Sequence, residues 1–452
     1  MAFDGDLTRA RICIDFGTAL SKASVCLDPA LPLEVGVRPL AIGAVSGAEH
    51  HLLTPSVLFV DGGRIFFGPR ALEIAWNGAG ESRDPLLSFK TVLGARNAQE
   101  ALAAKLPPSI DPTGTFRLRD ALALYLAYLD QLIRAALESS VNMPPGVVNV
   151  PRRYTSPAWS AGSSSDRVFE AIFNEAAAVS ARLSKLLLSP DGISIAQCRD
   201  ALDKAAATPG DGRLETGVFE PHAAAAASLA FTNSPVRFVM VIDIGAGTTD
   251  IAAFEFDERN NPPSLTEIKP ARQCSALAGD EIDRILINLF GRKRSGERSI
   301  EEEERMRRLI RLAARDLKQQ LFTEGRCTVR NGWSSTTIRI SDLAEDPQFR
   351  AYHQALGQLI AHSIGAVAGR AVQTGATEID VVLAGGGSHL PFLQDLVRQA
   401  GSVAARGVTL RVAPLSPANV LYEGVDPELT AAFPQIAMSV GGALVEMLAP
   451  AA

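Results

Sequence analysis

Two stretches half a chain apart constrain this sequence more than anything else in it. CIDFGTALSKASVCL begins at Cys13 and VIDIGAGTTDIAAFEF begins at Val241. Each runs from an apolar strand into Asp-x-Gly, turns through small residues, and leaves on a second apolar strand. Two such units at half-chain distance predict a duplicated architecture. The expected fold class is α/β with two lobes, each a mixed sheet flanked by helices, and a ligand cleft between them.

The turns themselves suggest the ligand. A phosphate is held by several converging backbone N–H groups, which requires residues without bulky side chains. Gly17, Gly245 and Gly247 allow that approach, and Thr18, Thr248 and Thr249 add hydroxyl donors. Asp15, Asp243 and Asp250 cannot touch phosphate directly, because like charges repel. They make sense if hydrated Mg²⁺ stands between carboxylate and phosphate. Either turn alone is also what an ordinary tight hairpin would contain; a third glycine turn, Gly385-Gly386-Gly387-Ser388, argues against that for the set. There is no GxxxxGK[ST], and the glycines at 245 and 247 lie between two strands, so neither a P-loop nor a dinucleotide fingerprint fits. The turn at 385 to 388 is read as opening a helix whose N-terminus helps hold phosphate or nucleoside.

Bulk properties remove other classes. The 452 residues are 47% apolar with a formal charge of −6, so no basic excess recommends nucleic acid or anionic lipid as a partner. The start, MAFDGDLTRARICIDFG, has no apolar signal core. DALALYLAYLDQLIRAAL is interrupted by Asp130 and Arg134 and reads as a core helix, not a membrane span. Five scattered cysteines without CxxC read as reduced thiols of a cytoplasmic protein. The six histidines offer no metal-ligand pair; His50, His51 and His222 are read as structural or surface residues.

Periodicity places the elements. TPSVLFV and RIFFG are two strands joined by Asp61-Gly62-Gly63, a hairpin signal. Residues 119–138 carry Leu122, Leu126, Leu129, Ile133 and Leu137 at helical spacing. GVVNVP reads as a short buried strand stopped by Pro151, and FVMVIDI as a strand covered on both faces. The Ser- and Ala-rich stretch near 155–215 holds two helices, 168–188 and 195–207. Ser299 with Glu302 forms a capping box for a helix running to about Leu321.

In this order the motifs resemble the actin-like ATPase superfamily, most closely the nucleotide-binding domain of DnaK-type heat-shock chaperones. IDFGT is similar to the first phosphate motif, TPSVLFV with FFGPRA to the TPS…GxxA stretch, and SFKTVLG to AKRLIG. VVNVP and EPHAAAAASL are similar to the first connecting strand and the EPTAAA helix. DIGAGTTD, GDEID, LAGGGSHLP and PQIAMSVGGAL are similar to the second phosphate, second connecting, adenosine and closing-helix segments. The resemblance covers roughly 1–150 and 215–447. It implies ATP or ADP with Mg²⁺ in the cleft. Asp15 and Asp243 would face the hydrated metal, Thr18 and Thr248 the β- and γ-phosphates, and Glu220 a water near the metal. Asp15, Asp243, Glu220 and Thr248 are the expected catalytic set. Asp250 would close the second clamp, Gly279 would open the second connecting segment, and Gly385 and Gly386 would lie under adenosine. Either Arg315 or Lys318 would wall the adenine site, the register leaving both open.

The departures are specific. The family keeps a lysine at the position of Leu72, a threonine at Ala19, an arginine at His389 and an aspartate at Gln435. The stretch from Pro151 to Glu220 is longer than those chaperones use, and no peptide-binding domain or lid follows residue 452. The implied division is a first lobe over 1–234, with an outer subdomain at 43–118 and a helical insertion at 155–215. A second lobe covers 235–430, with an outer subdomain at 277–345, and 431–452 is a helix returning to the first. The expected function is a stand-alone chaperone-like ATP-binding protein, a monomer acting as a slow ATPase or nucleotide-gated switch. The 155–215 insertion is expected to be a helical appendage on the first lobe through which an unidentified protein partner would bind, a self-packed decoration being the other reading. A filament-forming actin-like protein and a small-molecule kinase of the same superfamily are the alternatives.

Overall fold

The computed structural model describes residues 7–28, 36–78, 83–94, 97–141, 143–156, 164–206, 213–230, 238–257, 264–293, 299–331, 334–416 and 427–444. Both Asp-x-Gly stretches are antiparallel hairpins. Arg11–Asp15 pairs with Leu20–Cys26, and Phe238–Ile244 pairs with Thr249–Asp257. Each first strand continues into a parallel neighbour on its other side: Arg152–Ser156 in one case, Glu378–Ala384 in the other. A second parallel strand follows in each, Val218–Phe219 and Thr409–Pro414. The result is two six-stranded mixed sheets with the same core order. Helices flank both, as the α/β expectation requires, and the arrangement is consistent with a two-lobed actin-like fold. Every residue of Phe238–Ile244 is buried, which explains its unbroken apolar run.

The long helix spans Leu118–Ser139 and buries Leu122, Leu126, Leu129, Ile133 and Leu137 on its inner face. The helix Ile300–Glu324 starts at the predicted capping box: Ser299 Oγ accepts from the Glu302 N–H, and Glu302 accepts from the Ser299 N–H, each at 3.2 Å. The hairpin Leu58–Asp61/Arg64–Phe67 turns at Gly62 and Gly63, both in the left-handed region at φ 52° and 74°. Its second strand also pairs with Ile193–Ser194 from the insertion, a contact the sequence pattern does not announce.

Three expectations are corrected. GVVNVP is not a strand. Val147–Asn149 is a 3₁₀ turn after the left-handed Gly146, and the strand lies beyond Pro151, at Arg152–Ser156. So short an apolar run does not separate strand from turn by periodicity. The glycine turn does not open a helix. Gly386–His389 forms a 3₁₀ turn and the helix starts only at Leu393, because Pro391 forces Leu390 into extended backbone. The insertion is not an appendage. Its helix Ser164–Leu183 places Phe169, Ile172, Phe173, Ala176 and Val179 in the same core as Phe16 and Tyr125. The Phe169 ring lies 5.1 Å from Tyr154 and 6.3 Å from Phe16. The inward face is thus aromatic and branched, with Ala176 as its small residue, while Ala171 and Ala181 are exposed. The insertion's other helix runs Ile195–Ala205.

The last described helix, Pro427–Ala443, ties the sheets together. It packs with Glu220–Ala230 in a core that includes Cys13 and Cys26 from one sheet and Val239, Val241 and Phe254 from the other. A Cβ on Gly441 would stand 1.7 Å from the Ala223 carbonyl oxygen, and one on Gly442 would stand 2.4 Å from Cys13 Sγ. Glycine is required where the two backbones approach this closely.

Candidate functional site

Both hairpins end their first strands on a buried aspartate. Asp15 is 2% exposed and Asp243 is 5% exposed. The hairpin register sets Lys22 opposite Asp15 and Asp250 opposite Asp243. Lys22 Nζ lies 2.8 Å from Asp15 Oδ2, and Thr155 Oγ1 on the neighbouring parallel strand donates to Asp15 Oδ1 at 2.8 Å. Asp250 meets the thiol of Cys274, its register partner on the next strand.

The glycine turns converge on these acids. A Cβ on Gly385 would stand 2.2 Å from Asp243 Oδ1 and 2.5 Å from the Ile244 carbonyl, and its φ of 74° is left-handed. One on Gly387 would meet Ile244 Cγ2 at 2.4 Å, and one on Gly247 would meet Thr91 at 2.6 Å and Thr18 at 3.0 Å. The three turns are thus brought together, with Thr18 and Thr248 half-buried at their edge. The second turn is closed by Gly245 N–H donating to the Thr248 carbonyl at 2.9 Å. It is braced by Gly279 and Asp280, whose N–H groups donate to the carbonyls of Gly245 and Ala246. Two expected donors are already committed. Thr249 Oγ1 donates to the Leu277 carbonyl at 2.6 Å, and Ser388 Oγ donates to the Gly385 carbonyl at 2.8 Å. Gly386 presents open space, the nearest atom to its Cβ position being Gln435 Oε1 at 4.0 Å.

The structure separates Lys318 from Arg315. Lys318 Nζ donates to the Gly279 carbonyl at 3.1 Å and pairs with Asp283 at 2.8 Å, so it sits at the second turn. Arg315, one helical turn earlier, has Asp316, Glu49 and Asp283 as its charged neighbours. Burial pulls its pKa below the usual arginine value.

Glu220 lies at the start of the helix Glu220–Ala230, with Lys90 Nζ 2.6 Å from its Oε1, both side chains buried. Burial works against the Lys90 ammonium, but Glu220, Asp15 and Asp243 outweigh it and hold its pKa above the ordinary lysine value. Burial, then Asp15 and Asp250, raise the Glu220 carboxyl. Burial, then Glu220 and Asp250, push Asp243 well above the carboxylate range. Two lysines, Lys22 and Lys90, therefore face four carboxylates, those of Asp15, Glu220, Asp243 and Asp250. Asp243 Oδ1 is buried with no hydrogen-bond partner among the described residues. A buried, unpaired carboxylate oxygen in such a field is costly unless a cation joins it. The residues fit a divalent, oxygen-seeking ion such as Mg²⁺, with Asp15 and Asp243 as the groups that would hold it.

Lys90 is the residue that sequence reading missed. Its segment, SFKTVLG, carries a lysine inside an otherwise apolar run, which was the available signal: a lysine there must be buried and so must have a partner. Near the position of the absent family lysine, Lys22 lies in the cleft beside Asp15. Arg70 bonds the Pro190 carbonyl and Glu73 on the exposed surface. Leu72 itself packs on an apolar cluster of Val57, Phe59, Ala71 and Ala75.

His50, His51 and Glu428 also bring their ligand atoms within 4.8 Å of one another, a group invisible to spacing because Glu428 comes from the far end of the chain. The His50 Nδ1 accepts the Leu52 N–H at 3.1 Å. Neutral His50 therefore carries its proton on Nε2, the nitrogen turned toward Glu428, which is the wrong tautomer for a ligand.

Residues 213–407 match the family model described as Hsp70 protein. The match contains Glu220, the second hairpin, Gly279, Lys318 and the glycine turn at 385 to 387. Taken with the paired sheets, the match over these residues is consistent with an Hsp70-type nucleotide-binding domain of actin-like fold.

Proposed function

We propose that this protein is a chaperone-like ATP-binding switch that holds ATP or ADP with Mg²⁺ between the Asp15 and Asp243 hairpins. The observation that carries the reading is Asp243 Oδ1, buried without a hydrogen-bond partner among the described residues where the glycine turns converge. Bound Mg²⁺ would screen phosphate charge from the carboxylates. Around it, the backbone N–H groups of the Gly17, Gly245 and Gly247 turns would bind phosphate oxygens. Thr18 and Thr248 would add hydroxyl donors, and Glu220 would orient a water. The open space at Gly386 would take the nucleoside, with Gly385 packed beneath it on Asp243 and Lys318 and Arg315 as candidate walls.

Nucleotide would bridge the two sheets, so its terminal phosphate would bias how closely they approach. Hydrolysis is slow in this reading. Leu72 supplies no donor, and losing one preorganised donor typically costs on the order of 10²–10³ in rate. The free cysteines, four of them buried, support a reducing cytoplasmic setting. No helix among the described residues is long and apolar enough to cross a membrane. A client or partner protein follows from the chaperone-like reading.

Calorimetric titration with Mg-ADP and Mg-ATP tests the reading. Binding by wild type that Asp243→Ala abolishes is expected; no binding, or binding indifferent to Asp243→Ala, overturns it. Single-turnover phosphate release then separates a slow ATPase from a switch without turnover.

A further inference from the structure

We propose that Lys90 is the group by which this cleft distinguishes a nucleoside triphosphate from a diphosphate. The inference rests on the nucleotide reading above and adds to it the identity of a terminal-phosphate contact.

The two cleft lysines differ in how they are held. Lys22 is the register partner of Asp15 and belongs to the hairpin that carries it. Lys90 arrives from a separate segment, the 3₁₀ turn Phe89–Gly94. Preceding it, Ser88 has φ 52°, a left-handed conformation that a side-chain-bearing residue adopts at a cost. That backbone lets three consecutive contacts form. Ser88 Oγ donates to Asp280 Oδ2 at 2.9 Å, Lys90 reaches Glu220, and Thr91 lies against Gly247. Asp280 and Gly247 belong to the second half of the chain, so the segment spans the mouth of the cleft. The Lys90 ammonium is thereby suspended beside the Asp15 and Asp243 turns, 5.8 Å from the centre of the Phe16 ring.

Among the described residues, the partner within bonding distance of this ammonium is Glu220. A lysine has three donors, so Lys90 can keep Glu220 and still offer N–H groups to an approaching phosphate oxygen. The ammonium also cancels the carboxylate that would otherwise repel that phosphate. Phosphates held by the glycine turns are within reach of the backbone in either nucleotide. A third phosphate would add negative charge among these turns, where Lys90 is the cation brought in by a separate segment. Guanidinium in the same place would retain charge and donors; an amide would retain neither the charge nor the full donor set.

The test is calorimetric titration of the full chain with Mg-ADP and with Mg-bound β,γ-imido-ATP, for wild type, Lys90→Gln and Lys90→Arg. Expected is a loss of about tenfold or more in triphosphate affinity for Lys90→Gln, the scale of one charge-assisted hydrogen bond, with ADP affinity within about threefold of wild type. Lys90→Arg should restore part of the discrimination. Equal losses for both ligands, or none, overturn the proposal and leave Lys90 as a structural partner of Glu220. Should Lys90→Gln fail to fold because Glu220 is stranded, the double variant Lys90→Gln/Glu220→Gln carries the same comparison against Glu220→Gln alone. Wild type that binds neither nucleotide overturns the nucleotide reading and this one with it; wild-type binding with an unaltered ratio in the variants overturns this one alone.

Discussion

Lys22 stands across the first hairpin from Asp15, its ammonium 2.8 Å from the carboxylate, at the position where the second hairpin sets Asp250 opposite Asp243. The duplicated frame thus carries unequal charge. One hairpin is nearly neutral at its tip, and the other concentrates two acids. The negative side of the cleft lies on the second hairpin, so a cation should depend more on Asp243 than on Asp15.

This asymmetry gives a stability prediction for the ligand-free chain. Burial and neighbouring acids raise the Asp243 pKa above its usual 3.8. A raised acid is most favourable below its unfolded pKa, and that contribution is lost as pH rises through the folded value. Wherever it is ionised, the Asp243 carboxylate therefore destabilises the ligand-free fold. Asp243→Asn should melt above wild type in a chelator-containing buffer, with the gap closing as pH falls toward that of the free acid. Mg-ADP should raise the wild-type midpoint and leave the variant's unchanged.

Gly385 and Gly386 should respond differently although adjacent. Gly385→Ala puts a Cβ 2.2 Å from Asp243 Oδ1 on a left-handed backbone, which alone costs roughly 1–2 kcal/mol. It should lose both stability and nucleotide binding. Gly386→Glu meets open space; its denaturation midpoint should stay near wild type while nucleotide titration shows no heat.

The buried acid Asp130 joins three elements. It accepts from Arg152 at 2.7 Å, from Arg134 at 2.8 Å and from Ser180 of the insertion at 2.5 Å. Although burial opposes its ionisation, these partners, Arg152 foremost, hold its pKa below 3.8. Its contribution is present above the unfolded pKa and lost as pH falls through the folded one. Asp130→Ala strands a buried guanidinium and should cost about 3–5 kcal/mol by urea denaturation.

The insertion should prove essential to the lobe that holds it. Phe169→Ala empties a site between Phe16 and Tyr154 and should cost about 3–5 kcal/mol. Removing 164–206 should abolish cooperative melting altogether. A deletion that melts cooperatively and binds nucleotide would show the segment to be separable.

The sequence exposed the hairpins because their chemistry is local: strand, aspartate, glycine and strand are contiguous, and burial of Phe238–Ile244 on both faces leaves an unbroken apolar run. The third glycine turn was legible as a turn, but its continuation was misread because Pro391, five residues after Gly386, dictates where the helix can begin. Lys90 and Thr155 were not legible as cleft residues. Each reaches its acid from a distant segment, and no spacing rule links positions 90 and 220 or 155 and 15. The insertion was misjudged because alanine is compatible with either an exposed face or a close contact, and composition does not say which.

Pro427–Ala443 has a consequence in time. The Gly385 N–H donates to the Pro434 carbonyl at 2.8 Å, and Gly441 and Gly442 lie against Ala223 and Cys13. The floor under the candidate nucleoside surface and the seam between the two sheets are therefore completed by a segment translated after every strand of both sheets. A nascent chain emerging from the ribosome can assemble the first hairpin early, yet it lacks this seam until that helix has cleared the exit tunnel. Nucleotide capture should await that helix, so a chain stalled short of it stays unable to engage the ligand that would stabilise it.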